Sequence, residues 1–249
     1  MKSRITSIIK KCFRFRYPVS LIEPAYFWIR GPKLLKWFFA FRPISLAVFE
    51  IKFLRNIFFS ISVNERIVEN TFALSLIPKS KTRIFDFGTT SSWLSLQLAS
   101  LGHEVTGLDL RPYEFSHPNI NFIQNDLFKS DLPQNYFDFV LIISTLEHVR
   151  VSDDSADSKA MKILSNSLKK GGKIILTVPY GKPVITLSHR VYSRERIDKI
   201  IPGGVVKKDS LYFKKNSPMA WIKTEENEAA NMDSSKTSNG LCCLLLEKI

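Results

Sequence analysis

The chain has 249 residues, 45% of them hydrophobic, and it carries a formal net charge of +13. One α/β domain with an N-terminal extension is the natural division of that length. Its three cysteines (Cys12, Cys242 and Cys243) have no metal-ligand spacing and its histidines form no His-x-x-x-His pair, so the composition argues against a metal centre and for a reducing cytoplasm.

The charge is unevenly placed. Residues 1–60 hold twelve Lys and Arg against two acids, Glu23 and Glu50, with Phe27, Trp28, Trp37 and Phe38 among their aromatic residues. Pro18, Pro24, Pro32 and Pro43 cut this stretch into short pieces, because proline interrupts helical hydrogen bonding. No apolar run in it approaches the roughly 18–20 residues of a spanning helix, and a cleavable signal peptide is not expected. A basic, aromatic segment that cannot span reads as an interfacial one, over residues 1–64, facing an anionic membrane surface. The competing reading is a helical subdomain packed on the rest of the chain. Nucleic acid is not an expected partner, since no RNA-binding signature accompanies the charge.

From Glu65 the pattern changes. Residues 67, 68, 71, 72 and 74 fall at helical spacing and predict a helix over 65–74, closed near Pro78. Short apolar strands are predicted at about 82–87, 104–109, 120–124, 137–143 and 173–178. Helices are predicted at about 92–101, 160–168 and 193–201, the first stopped by Gly102. The last strands fall at 205–214 and 241–248, and the polar stretch 224–240 between them reads as a mobile excursion. Strands alternating with helices predict a doubly wound, mostly parallel sheet with an antiparallel hairpin at its C-terminal end. Right-handed crossovers put the strand C-termini on one edge, where ligands bind.

The first strand runs straight into Asp86-Phe87-Gly88-Thr89-Thr90-Ser91-Ser92. Gly88 lets the backbone turn sharply against a ligand, and Ser91 or Ser92 is placed to cap the following helix, whose N–H groups face the same spot. Asp109 follows at the roughly 20-residue spacing of a ribose-binding carboxylate at the end of a second strand. The turn keeps only Gly88 of the glycines in a Gly-x-Gly-x-x-Gly fingerprint, with Thr90 and Ser92 where further glycines might fall, which disfavours a nicotinamide dinucleotide.

The series Asp86–Gly88, Asp109, Asn125-Asp126-Leu127, Ser144-Thr145-Leu146-Glu147-His148 and Gly171-Gly172 to Pro179 resembles the class I S-adenosylmethionine-dependent methyltransferases. Leu101 to Asp109, His117-Pro118-Asn119 and Thr177-Val178-Pro179-Tyr180-Gly181-Lys182 look like a bacterial branch associated with surface-polysaccharide and glycolipid genes. The resemblance covers residues 65–249. It implies S-adenosylmethionine as cofactor, with Asp86, Gly88 and Thr89 by its methionine portion, Asp109 on the ribose, Leu110 and Leu127 against the adenine, Asp126 accepting from the adenine amine, and Ser144 also among the cofactor-binding residues. It also implies O-methylation of a saccharide or lipid-linked acceptor at the cytoplasmic membrane face, an enzyme peripheral to that membrane.

Glu147-His148, after the fourth strand, is the expected catalytic pair, with His148 accepting the acceptor's proton. Tyr180, His189, Arg190 and Tyr192 follow the fifth strand and are expected to grip a sugar or an acidic headgroup, or else to build a loop over the site. Two readings compete with methyl transfer: a scaffold that keeps the fold and the cofactor site without turnover, and a nucleotide-sugar or nicotinamide-dependent oxidoreductase. Fold alone does not choose among them.

Overall fold

The computed structural model describes residues 63–91, 93–218 and 220–249. The expectations for the N-terminal segment, interfacial or packed, lie outside them, as does Ser92. Among the described residues, no helix is long and apolar enough to cross a membrane.

The domain begins at Glu65. Its helices are α1 (Arg66–Leu76), α2 (Leu94–Ser100), α3 (Ala156–Ser167), α4 (Arg194–Ile200) and α5 (Glu226–Ala230). Its strands are β1 (Arg83–Phe87), β2 (Glu104–Asp109), β3 (Ile120–Gln124), β4 (Phe137–Ile143), β5 (Leu168–Pro179), β6 (Val184–Ile185), β7 (Arg190–Val191), β8 (Val205–Ser217), β9 (Ala220–Thr224) and β10 (Gly240–Lys248).

Eight strands form one sheet in the order β3-β2-β1-β4-β5-β10-β8-β9. The five strands β3, β2, β1, β4 and β5 are parallel, and β10 joins β5 antiparallel. β10, β8 and β9 then continue antiparallel, the C-terminal hairpin expected, extended by β9. β6 and β7 pair as a separate two-stranded hairpin after β5. The order reverses between β1 and β4, so the crevice for a ligand opens above the C-terminal ends of those strands.

Alternating side chains feed two cores. Phe85, Val140, Ile142, Ile174 and Leu176 pack with α3 and α4 residues such as Met161, Leu164 and Ile197 on one face. Ile84, Leu141, Ile143 and Ile175 pack with Phe72, Leu94 and Leu98 of α1 and α2 on the other. The neighbours Cys242 and Cys243 belong to opposite cores, both buried, which is the period-two alternation of a central strand.

Three expectations are corrected. The buried face of α1 is Glu69, Phe72 and Ala73, while Ile67 and Thr71 face solvent. β5 starts at Leu168, so the Gly171-Gly172 turn lies inside the strand assignment. The stretch 224–240 is a packed connection: it holds α5, Ala229 and Ser234 are buried, and the Ser234 hydroxyl accepts from the N–H groups of Asn239 and Gly240.

Candidate active site

The turn after β1 is built around three interlocking contacts. Gly88 has φ +86°, and a Cβ there would collide with the Thr145 side chain after β4. Thr89 lies against Gly107 of β2, where a Cβ would come within 2.7 Å of Thr89 Cγ2. The Thr89 hydroxyl donates to Ser95 Oγ at 2.8 Å, and Ser95 donates to Asp86 Oδ2 at 2.6 Å. A threonine is accommodated here because β2 gives up a side chain opposite it. The N-cap of α2 is Trp93, with no side-chain cap bond, and Ser91 belongs to a 3-10 turn over residues 89–91, while the cap expected from Ser92 lies outside the described residues.

Thr90 stands where a second glycine would fall. Its N–H donates to Asp109 Oδ2 at 3.1 Å and its hydroxyl to the Arg111 carbonyl at 3.0 Å. Asp109 Oδ1 accepts from the Arg111 N–H at 2.9 Å. Each Asp109 oxygen takes a single backbone N–H bond, with Arg111 Nε also 3.6 Å from Oδ1, so the carboxylate retains acceptor capacity for ribose hydroxyls. Leu110 beside it is 69% exposed, an apolar face open to a planar ring.

Asp126 ends β3's loop and caps the 3-10 turn 127–129, its Oδ1 accepting from the Phe128 N–H at 3.0 Å. Oδ2 accepts from Arg150 Nη2 at 2.7 Å, and the Arg150 guanidinium lies 4.0 Å over the Phe128 ring. Partial burial pushes the Asp126 pKa up, but the bonds from Arg150 and Phe128 outweigh it and hold the carboxyl below its ordinary value. Leu127 is buried beneath.

After β4 the chain enters a left-handed residue, Ser144 (φ +42°), and a 3-10 turn over Leu146–His148. Glu147 is buried, its Oε2 has no hydrogen-bond partner, and its Oε1 lies 3.8 Å from His148 Nε2. Burial, with Glu69 nearby, pushes its pKa up to about 8. His148 Nδ1 is 2.6 Å from the Ser188 carbonyl. A carbonyl only accepts, so Nδ1 carries the proton and Nε2 keeps the lone pair. Desolvation on the packed side of the ring lowers its pKa, which the Ser188 carbonyl partly opposes and His189 reinforces.

The raised acid has a consequence for stability. A carboxyl with a folded pKa of about 8 against an ordinary 4.5 is protonated in the fold and ionised in the unfolded chain between those values. Its contribution is therefore present below the ordinary value and is lost as pH rises, at up to about 1.4 kcal/mol per pH unit. Glu147→Gln should flatten that loss, so thermal melts at pH 5.5 and pH 8.5 should converge relative to wild type. A mutant that keeps the full alkaline drop would assign it to Asp86 or Glu69, whose carboxyls burial also raises.

The four residues after β5 are brought near this edge, but three point their polar ends inward. Tyr180 is buried and its hydroxyl donates to Glu226 Oε1 at 2.8 Å. Arg190 is fully buried and donates to the carbonyls of Val149 (2.7 Å), Arg150 (2.8 Å) and Asp153 (2.6 Å). The Tyr192 hydroxyl donates to Asp157 Oδ2 at 3.2 Å. His189 Nε2 donates to the Ser234 carbonyl at 3.2 Å. These contacts give Tyr180, Arg190 and Tyr192 the loop-building role, and Arg190 pins the β6–β7 hairpin to the loop after β4.

Two residues that the sequence reading passed over belong to the site. Glu69, on α1, accepts at Oε1 from the Thr177 hydroxyl at 2.7 Å and from the Ser144 hydroxyl. Arg66, one turn earlier, lies 3.3 Å from Glu69 Oε2 and donates to the Ile143 carbonyl at 3.0 Å. The signal was present as a charged pair at i, i+3 in the helix before the first strand, but periodicity placed those residues off the apolar face.

The arrangement suits a nucleoside-bearing sulfonium: a tight Gly88 turn with no room for a Cβ, a strand-end acid that retains acceptor capacity, and an exposed apolar side chain beside it. Asp109→Ala should weaken S-adenosylhomocysteine binding by about 1.5–3 kcal/mol, the range for a hydrogen bond to a charged acceptor. Calorimetry that finds unchanged affinity in a folded mutant would remove Asp109 from the site.

Comparison with known proteins agrees with this geometry. Residues 85–176 match the family model described as a methyltransferase domain. No curated protein matches the chain. Among solved structures, a methyltransferase from Methanosarcina mazei aligns with TM-score 0.54 and 13% identity over 71% of this chain and 96% of its own. The N-methyltransferase NodS from Bradyrhizobium japonicum, in complex with S-adenosyl-L-homocysteine, aligns with TM-score 0.52 and 12% identity over 74% and 87%. A 1,6-didemethyltoxoflavin-N1-methyltransferase from Burkholderia thailandensis aligns with TM-score 0.55 and 14% identity over 82% and 86%. At such identities the structures speak for the fold. The family match runs through the strands that carry Asp86 and Asp109 and the turn after β4 that carries Glu147, and with it the nicotinamide reading falls away. Residues 85–176 match a methyltransferase domain and the fold around them is the one shared with these methyltransferase structures, so the protein is a methyltransferase enzyme with S-adenosylmethionine as its cofactor.

Proposed function

We propose that this enzyme methylates a hydroxyl of a saccharide or lipid-linked acceptor at the cytoplasmic face of a membrane. The hydroxyl acceptor is carried by one observation: His148 is locked by the Ser188 carbonyl at Nδ1, which leaves the lone pair on Nε2, 3.8 Å from Glu147 Oε1. A weakly acidic hydroxyl needs such a group, because its proton must leave as the new bond forms. The cofactor supplies the methyl on a sulfonium that is already a leaving group. The chain's own work is then alignment of the acceptor and removal of a proton at Nε2 of His148.

The lipid-linked part is supported by the β6–β7 hairpin. Val184, Ile185 and Leu187 are 37%, 52% and 105% exposed. An open cavity of about 440 Å³ lies beside them, lined by Pro183, Val184, Ile185, Val191, Arg196 and Lys199 among others. Apolar residues on a hairpin held next to His148 suit an acceptor with a hydrocarbon portion. The basic aromatic segment 1–60 supports the membrane surface.

The test is transfer of labelled methyl from S-adenosylmethionine to three acceptor sets: free saccharides, lipid-linked saccharides and amines. Label on a saccharide oxygen is expected, strongest with the lipid-linked set, and label on amines alone would overturn the proposal. A cofactor-binding scaffold is the second reading, favoured by Thr90 and Ser92 where further glycines might fall, and it predicts cofactor binding with no labelled product. Membrane attachment has its own check. Full-length protein should co-sediment with anionic liposomes, less so at high salt and not after removal of 1–60, because headgroup attraction is screened. Protein that ignores such liposomes at low salt would make the segment a packed subdomain.

A further inference from the structure

We infer that Glu69 is a positioning residue for the cofactor: from α1 it sets the Ser144–Thr145 turn against which the Gly88 loop closes. The carboxylate is fully buried, which is costly unless its oxygens are bonded. One oxygen accepts from the hydroxyls of Ser144, just after β4, and Thr177, near the C-terminal end of β5; the other makes no hydrogen bond and is compensated by the Arg66 guanidinium 3.3 Å away. Arg66 also takes the Ile143 carbonyl, so α1 is stitched to both central strands at the edge where ligands bind.

Ser144 is the point of leverage. Its φ of +42° is a backbone state that an L side chain keeps only when its surroundings hold it. Two groups hold it: Glu69 through the hydroxyl, and Thr177, whose carbonyl and hydroxyl oxygens accept from the Ser144 N–H at 3.1 and 3.0 Å. Thr177 is itself bonded to Glu69. The next residue, Thr145, donates to the Ile143 carbonyl at 3.0 Å and fills the space that a Cβ on Gly88 would need. A route of contacts therefore runs from Glu69 through Ser144 and Thr145 to the cofactor turn. Glu69 acts along it as a hydrogen-bond acceptor.

That distinction fixes the test, which depends on the cofactor and not on the acceptor. S-adenosylhomocysteine binding to the full chain is measured by calorimetry for wild type, Glu69→Gln and Glu69→Ala, with folding checked by circular dichroism. Glu69→Ala should bind about ten-fold more weakly or worse, the scale of a lost network of charged hydrogen bonds. Glu69→Gln should stay within about three-fold, because its amide oxygen still accepts from both hydroxyls. Wild-type affinity in folded Glu69→Ala overturns the inference. So does an equal loss in folded Glu69→Gln, since the charge would then act on the ligand directly. If Glu69→Ala does not fold, the double variant Ser144→Ala, Thr177→Val removes both donors and leaves the Arg66 pair intact. It should lose about five-fold or more, and unchanged affinity there overturns the inference equally. Failure of wild type to bind would instead strike at the cofactor assignment.

Discussion

Gly88→Ala is expected to weaken S-adenosylhomocysteine binding by at least about 30-fold, with the fold retained. A non-glycine residue at φ +86° stores about 1–3 kcal/mol of backbone strain. A methyl group there also collides with the Thr145 side chain, and Thr145 is fastened to the Ile143 carbonyl. The loop must then move away from β4, carrying Thr89 and Thr90 with it. Thr90 donates to Asp109 Oδ2, so the strand-end carboxylate assigned to the ribose loses a partner at the same time. About 2 kcal/mol is a factor of about 30 in affinity. Calorimetry on the folded mutant checks it, and affinity within about three-fold of wild type would show that the turn does not approach the ligand.

His148→Ala should lower turnover by about 100-fold or more while cofactor affinity changes little, the usual scale for losing a positioned base. The ring is fixed by its Nδ1–H bond to Ser188, and desolvation keeps it neutral to lower pH than an ordinary histidine. The sign follows: the base works when unprotonated, so activity is lost as pH falls through a pKa below the ordinary 6.5. The acid limb of the wild-type pH profile should sit there and vanish in the mutant. Full activity in His148→Ala would pass the role to Glu147, which is buried beside it. A large loss of cofactor affinity would instead mean that His148 serves to hold Ser188 and the hairpin in place.

The strand ends were legible in the sequence because short apolar runs in the parallel strands give way to polar residues. Asp109 and Ser144 mark the stops of β2 and β4, and β2, β3 and β4 begin and end where the pattern places them, whereas Asp86 lies one residue inside the end of β1. The thinned glycine turn was legible as a departure, but its remedy was not. Thr89 fits because Gly107 lies opposite it in the neighbouring strand, a pairing that only the register of β1 on β2 reveals.

Side-chain direction was the harder matter. Glu69 is a charged residue on the buried face of α1, and helical periodicity counts charges as solvent-facing. It turns inward because Ser144, Thr177 and Arg66 satisfy it, partners 75, 108 and 3 residues away in the chain. Arg190 and Tyr192 looked like a substrate grip for the same reason: a polar residue after β5 has no local signal of inward bonds. Their partners, Val149 to Asp157, lie beyond β4. The stretch 224–240 was misread likewise, since its polar residues are bonded to one another and to Tyr180.

The most direct measurement is calorimetric titration of the full-length wild-type protein with S-adenosylhomocysteine and, separately, with NAD. Saturable one-to-one binding of S-adenosylhomocysteine and no heat from NAD is the predicted result. Binding of NAD with none of S-adenosylhomocysteine would contradict the assignment of the Gly88 turn and Asp109 to this cofactor.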